Sequence, residues 1–137
     1  MADVLVDQGQ QPVLLTAGDD VTLPLHFTVK KTNIDQNGNV VIQKFDYQLQ
    51  NSDTISVHFP PAADGGPEIV VTDIEITDLN RGKVLVHVTG SQLSLVRRGT
   101  VDAPATFKAR ILRDGKRSTF VFANLLVVKD DDFSPFQ

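Results

Sequence analysis

Val21, Leu23, Leu25, Phe27 and Val29 alternate with polar residues and one proline along Val21-Thr22-Leu23-Pro24-Leu25-His26-Phe27-Thr28-Val29. A period of two puts all five on one face of an extended chain, so the segment predicts a strand with one buried side. Pro24 falls on the outward phase and has no N–H for a ladder, which predicts an edge strand there. The alternation returns at Ile55, Val57 and Phe59, where Pro60-Pro61 ends it and Asp64-Gly65-Gly66-Pro67 makes a loop. Residues 69–76 carry apolar and β-branched residues and read as one further strand. Val84, Val86 and Val88 follow an Asn80-Arg81-Gly82 turn, in which the glycine is free to take positive φ. Residues 91–96 are short enough for one helical turn. The last two strands, residues 106–112 and 118–128, join around Asp114-Gly115. Phe107, Ala109 and Ile111 face one way there, and Lys108 and Arg110 the other. Phe120 and Phe122 share a phase, with Val121 opposite.

Between the first two alternating runs lies Asp35-Gln36-Asn37-Gly38-Asn39, followed by Val40-Val41-Ile42. Asn37-Gly38 between strand-like segments is a strong turn signal. Lys30, Lys31, Lys44 and the string Gln48-Leu49-Gln50 predict a hairpin that projects from the body. Seven or eight strands, Gly/Pro/Asn/Asp turns and no sustained helical period predict an all-β fold. An immunoglobulin- or fibronectin-like antiparallel β-sandwich is the natural closure, with a jelly roll as the alternative. With neither Cys nor Trp in the chain, the core must be built from aliphatic and Phe packing. The reading divides the chain into an extended N-terminal arm (1–15), a sandwich domain (16–129) and an acidic, aromatic C-terminal tail (130–137).

A length of 137 residues fits one domain with a real core. No apolar stretch approaches the ~18 residues of a membrane helix, and the opening residues lack the basic start and apolar block of a secretory signal. Without cysteine there is no disulfide framework and no thiol nucleophile. Charge is segregated. From Phe45 to Asn80 there are seven acids (Asp46, Asp53, Asp64, Glu68, Asp73, Glu75, Asp78) and no Lys or Arg. From Arg97 to Arg117 there are seven bases (Arg97, Arg98, Lys108, Arg110, Arg113, Lys116, Arg117) against Asp102 and Asp114. Solvated strand faces account for such runs. The functional alternative is a two-faced molecule whose acidic and basic surfaces meet between copies, a contact that closes into rings when the rotation allows.

Chemistry is sparse. His26, His58 and His87 all sit on outward strand phases, and no H-x-H or HExxH spacing makes them a metal site. Asp35 to Asn39 fails the calcium-loop spacing, since its glycine stands fourth rather than sixth. There is no G-x-S-x-G and no phosphate loop. A carbohydrate-binding module would stack sugars on aromatic rings, and Tyr47 is the single Tyr in a chain without Trp. Net charge of −4, and only Phe107 interleaved in the basic stretch, argue against nucleic-acid binding. A non-enzymatic protein without cofactor or metal is predicted, binding neither membrane nor nucleic acid.

From Val21 to Val128 the order of elements resembles the amino-terminal domain of phage baseplate upper proteins. The opening strand of that family is matched by Gly18-Asp19-Asp20-Val21-Thr22-Leu23-Pro24-Leu25-His26-Phe27, and its Val-x-Phe strand by Ile55-Ser56-Val57-His58-Phe59. Its central segment is matched by Thr77-Asp78-Leu79-Asn80-Arg81-Gly82-Lys83-Val84-Leu85-Val86-His87-Val88, and its closing hairpin by Phe107-Lys108-Ala109-Arg110-Ile111-Leu112-Arg113-Asp114-Gly115-Lys116. The hairpin after Ile34 looks longer than the family's insertion, and the family's domain usually precedes a longer chain. The resemblance implies an immunoglobulin-like structural protein of a virion, made in the host cytoplasm and placed in tail or baseplate. Capsid decoration is the close alternative. Its partners would be other virion proteins or copies of itself as a homo-oligomer. Candidate interface residues are Asn37 and Gly38 at the hairpin turn, Asp73, Glu75 and Asp78 on an acidic face, Arg97, Arg98, Arg110 and Arg113 on a basic strip, and Phe133 and Phe136 as aromatic anchors in the tail.

Overall fold

The computed structural model describes residues 4–6, 13–100 and 102–130. Eleven strands and one short helix follow in chain order among them. They are β1 (Val4–Val6), β2 (Val13–Thr16), β3 (Val21–His26), β4 (Thr28–Ile34), β5 (Val40–Asp46), β6 (Thr54–Phe59), β7 (Ile69–Val71), β8 (Ile74–Asp78), β9 (Lys83–Val88), α1 (Gly90–Leu93), β10 (Ala105–Arg113) and β11 (Lys116–Lys129). The protein is all-β.

Period-two alternation decides which side of each strand goes in. β6 buries Ile55, Val57 and Phe59, β10 buries Phe107, Ala109 and Ile111, and β11 buries Phe120 and Phe122. These strands lie antiparallel with β7 in the order β11-β10-β6-β7. A second antiparallel sheet runs β3-β9-β8 and buries Leu23, Leu25, Val84, Val86 and Val88. The inward phases of both sheets join one core cluster. Aromatic contacts run through it: Phe107 and Phe122 stack at 4.9 Å, and Phe27 meets Phe120 edge-on at 5.0 Å. Pro24 lies on β3, the outer strand of its sheet, where its missing N–H costs no ladder bond.

Four sequence expectations change. Residues 4–6 and 13–16, read as part of an arm, pair parallel with β11 and cover one of its edges. The run 21–29 is not one strand, because the chain leaves the β3 sheet at Phe27 and enters a separate two-stranded ladder. The run 69–76 also divides: β7 belongs to the first sheet and β8 to the second, with Thr72 and Asp73 crossing between them. These divisions and additions bring the described strands to eleven rather than seven or eight. The helical turn at 91–96 starts one residue earlier. Thr89 caps it, accepting from the Gln92 N–H, while the Gln92 side chain accepts from the Thr89 N–H.

Two turns depend on left-handed backbone. Asp114 (φ 52°) and Gly115 (φ 75°) form a two-residue connection between Arg113 and Lys116, which is the primed turn that matches strand twist. Gly82 (φ 68°) is buried, and a Cβ there would press on the carbonyl oxygens of Tyr47 and Phe27. Gly38 (φ 81°) needs the same conformation with open space around it. Gly82→Ala therefore loses more than about 2 kcal/mol, combining backbone strain with a clash, while Gly38→Ala loses about 1 kcal/mol from strain alone. Urea unfolding of the two variants measures the difference; equal losses would show that the packing around Gly82 yields.

Candidate functional site

Beyond Thr28, which is buried, and Val29, which packs against the core, the β4–β5 hairpin stands outside the shared core. Its register pairs Thr28 with Asp46, Lys30 with Lys44, Thr32 with Ile42 and Ile34 with Val40, so these eight residues share one face. Towards the tip that face is apolar and open, with Ile34 73%, Val40 65% and Ile42 65% exposed. Two lysines lie behind it, directly opposite each other. On the other face, the Lys31 ammonium sits 5.4 Å over the Phe45 ring. At the turn, Asp35 Oδ1 accepts from the N–H groups of Asn37 and Asn39 at 2.9 and 2.8 Å, which fixes the loop around Gly38. Asn37 and Gly38 are thus exposed at the tip, as an outward-facing turn requires.

The hairpin's base is built from both of its legs. Phe27 donates its N–H to the Gly82 carbonyl at 2.8 Å, and its own carbonyl accepts from the Tyr47 N–H at 2.9 Å. The rings of Phe27 and Tyr47 both pack edge-on against Phe120. Arg113 braces the second leg. Its Nε and Nη2 donate to the two Asp53 carboxylate oxygens at 2.7 and 2.6 Å, and Nη2 also donates to the Gln48 carbonyl at 2.9 Å. The guanidinium carbon sits 5.2 Å over the Tyr47 ring. Hydrogen bonding from Arg113 outweighs burial and holds the Asp53 carboxyl below its ordinary 3.8.

Arg113 is therefore engaged within the fold as a clamp, with its side chain partly exposed. Arg98 also serves the chain itself, donating to Asp130 at 2.7 Å and to the carbonyls of Ser94 and Val96 at 2.9 and 2.6 Å. Arg97 donates to the Pro61 carbonyl and lies 3.6 Å from Asp64. Arg110 alone of the four is on the outward face of β10, with its Nε buried and without a hydrogen-bond partner. The sequence clustered these arginines, but strand, loop and hairpin base separate them in space. The acidic residues stay together at the outer strand of the second sheet. Glu75 lies 3.6 Å from His87, and Asp78 accepts from the Arg81 N–H at 3.2 Å. The Asp73 carbonyl accepts from the His87 N–H at 2.9 Å. Tyr47 offers no open platform for a sugar, since Phe120 meets its edge and Arg113 covers its face. Phe133 and Phe136 lie outside the described residues.

The three histidines occupy separate places, each with its own carboxylate: His26 with Asp46 at 2.8 Å, His58 with Glu68 at 3.5 Å and His87 with Glu75. Ser56 and His58 produce an arrangement the sequence reading passed over. Residues i and i+2 share a strand face, and Ser56 Oγ lies 2.8 Å from His58 Nε2. With Glu68 beyond Nδ1, the order mimics nucleophile, base and orienter. β10 pairs with residues 54–58 of β6 on one edge and β7 with residues 57–59 on the other. Burial first, and then the Arg110 charge, holds the His58 pKa below its ordinary 6.5. No protein-family model matches the chain, and no curated protein matches it in sequence.

Two measurements follow from these groups. Asp53→Asn and Arg113→Ala each lose about 2 kcal/mol, because either change strands the other half of a largely buried pair. Arg113→Lys does not restore the loss, since one ammonium cannot span both carboxylate oxygens and the Gln48 carbonyl. Denaturant titration reads all three; recovery by lysine would reduce the clamp to simple charge. For His58, a depressed folded pKa means the unfolded chain takes up the proton first. Its contribution is full above pH 6.5 and lost as pH falls below that value, down through the folded pKa. The slope of melting temperature against pH just below 6.5 flattens in His58→Gln, and an unchanged slope would assign it to other groups.

Proposed function

We propose that the chain is a non-enzymatic structural component of a phage particle, an immunoglobulin-like β-sandwich module that works by protein–protein contact in tail or baseplate. The observation that carries the contact role is the β4–β5 hairpin: an ordered arm clamped at its base, bearing Ile34, Val40 and Ile42 in the open. A soluble domain does not leave such a cluster on a projecting element without a surface to cover it.

Strand order supports the immunoglobulin-like assignment. With β3, β6, β7, β8, β9, β10 and β11 taken as B, C, C′, D, E, F and G, one sheet runs B-E-D and the other G-F-C-C′. Those are the two sheets of that fold. The hairpin is then an insertion between B and C. The particle itself is supplied by the resemblance to baseplate upper proteins along residues 21–128.

Immunogold electron microscopy of a source lysate tests the location. Label on tail or baseplate supports the reading, label over the shell moves the protein to head decoration, and label on no particle overturns the phage assignment. Replacing residues 30–44 with a short turn should leave the melting temperature within about 3 °C, because the removed residues lie outside the core, and should abolish particle attachment. Attachment that survives this deletion would remove the hairpin from the contact.

A further inference from the structure

We propose that the outward face of strands β6, β10 and β11 holds a binding site for a doubly charged oxyanion, a phosphate or a phosphate monoester, built from Arg110, Arg117, Lys108 and the Ser56–His58 pair. The site uses none of the hairpin's residues and does not rest on the contact proposed for it.

Register assembles the site. Residues two apart on a strand share a face, and residues paired across a ladder share it too. Lys108 is paired with His58, and Arg110 with Ser56. On its other side Arg110 is paired with Thr119, so Arg117, two residues before Thr119, is its diagonal neighbour. Diagonal neighbours lie about 7–8 Å apart, within reach of long side chains. Both guanidinium charges also act on the histidine. Burial lowers the His58 pKa most and the Arg110 charge next, and Arg117 pushes the same way from β11, against Glu68. The face is open to solvent: Val70, paired with His58, is 44% exposed, and Leu112 is 45% exposed.

Charge selects the ligand. Among the described residues no carboxylate pairs with Lys108, Arg110 or Arg117. The carboxylate beside them, Glu68, lies 3.5 Å from His58 Nδ1. Three positive charges against that one leave two to be matched, which is the charge of a phosphate rather than of a carboxylate. Like charges gathered on one sheet face repel, and an anion between them turns that repulsion into attraction.

Hydrogen bonding points to the same class. Arg110 Nε is buried without an acceptor, an uncommon state for such a strong donor. A guanidinium presents its N–H groups as a planar fork that meets two oxygens of a phosphate at once. Ser56, directly opposite Arg110, holds its hydroxyl 2.8 Å from His58 Nε2, which adds a polar, uncharged pair beside the fork. Lys108 supplies the third charge from the neighbouring row.

Calorimetric titration of the whole chain with inorganic phosphate tests the site, at fixed ionic strength and at slightly alkaline pH, where phosphate is a dianion. One-to-one binding is expected. Arg110→Gln and Arg117→Gln should each weaken it about tenfold or more, the loss of a charge-assisted hydrogen bond. Arg81→Gln, at an exposed arginine between β8 and β9, should leave it unchanged. Melting temperatures without phosphate check that all three variants are folded. In NMR spectra the His58 ring signals should move on adding phosphate, while those of His26 and His87 stay. Methyl phosphate binding more tightly than phosphate assigns the site to an ester, and equal binding assigns it to the free ion; either supports it. Equal weakening by Arg81→Gln would overturn the inference by reducing it to overall charge. Acetate binding as tightly as phosphate would overturn the choice of a dianion, and no heat of binding up to about 10 mM phosphate would overturn the site altogether.

Discussion

The hairpin's order depends on the burial of Phe27. A two-stranded ribbon is marginal in water, and this one has no further strand bonded to it among the described residues. Its register and direction come from the base. Phe27 is 0% exposed, touches both Phe120 and Phe122, and uses its N–H and carbonyl to tie the Gly82 turn to Tyr47. Burying one such ring contributes about 1.5–3 kcal/mol, and edge-on ring pairs add about 0.5–1.5 each. Against a net stability of about 5–15 kcal/mol for a domain, this junction is a large share. Gly82 is the condition on which it rests, because any Cβ would occupy the place of the two carbonyls that define the crossing.

Charge serves the same junction. Arg113 extends from the end of β10 across to Asp53 and Gln48, so the leg leaving β5 is held to the body by a fork of hydrogen bonds. A guanidinium suits this place because its planar donors meet two carboxylate oxygens at once and its face lies on Tyr47. Part of the segregation of acids and bases along the sequence is wiring within the fold, as Arg98 with Asp130 also shows.

Much of the architecture was legible because a single rule, period two, governs both burial and face. It placed Phe107, Ala109 and Ile111 in the core, while the Asn-Gly and Asp-Gly residue types located the turns at Asn37-Gly38 and Asp114-Gly115. Period two could not show where a strand changes partner. The alternation passes through Phe27 without interruption, although β3 and β4 belong to different sheets. Residues 69–76 likewise read as one strand because both β7 and β8 carry β-branched residues that pack on the same core. The pairing of β1 and β2 with β11 was illegible for a different reason: it is long-range, and short polar segments such as residues 7–12 carry no local mark of the strand they flank. Among candidate contacts, the hairpin turn was readable from Asn37-Gly38, whereas the intrachain partners of Arg97, Arg98 and Arg113 were not, because proximity in sequence is not proximity across strand, loop and turn.

The two ends of the domain treat exposed apolar surface and bare edges unequally. At β11 the free edge is covered by β1 and β2, and β7 at the far edge is only three residues long; both are ways a sheet avoids unwanted pairing. The hairpin has neither protection, and it places three aliphatic residues where water reaches them. A fold that shields its edges elsewhere would gain stability and solubility from polar residues at Ile34, Val40 and Ile42. Nothing in the core requires them, since their side chains point away from it and the turn is fixed by Asp35. Under the proposed contact role, their presence is explained by a surface that covers them only after assembly.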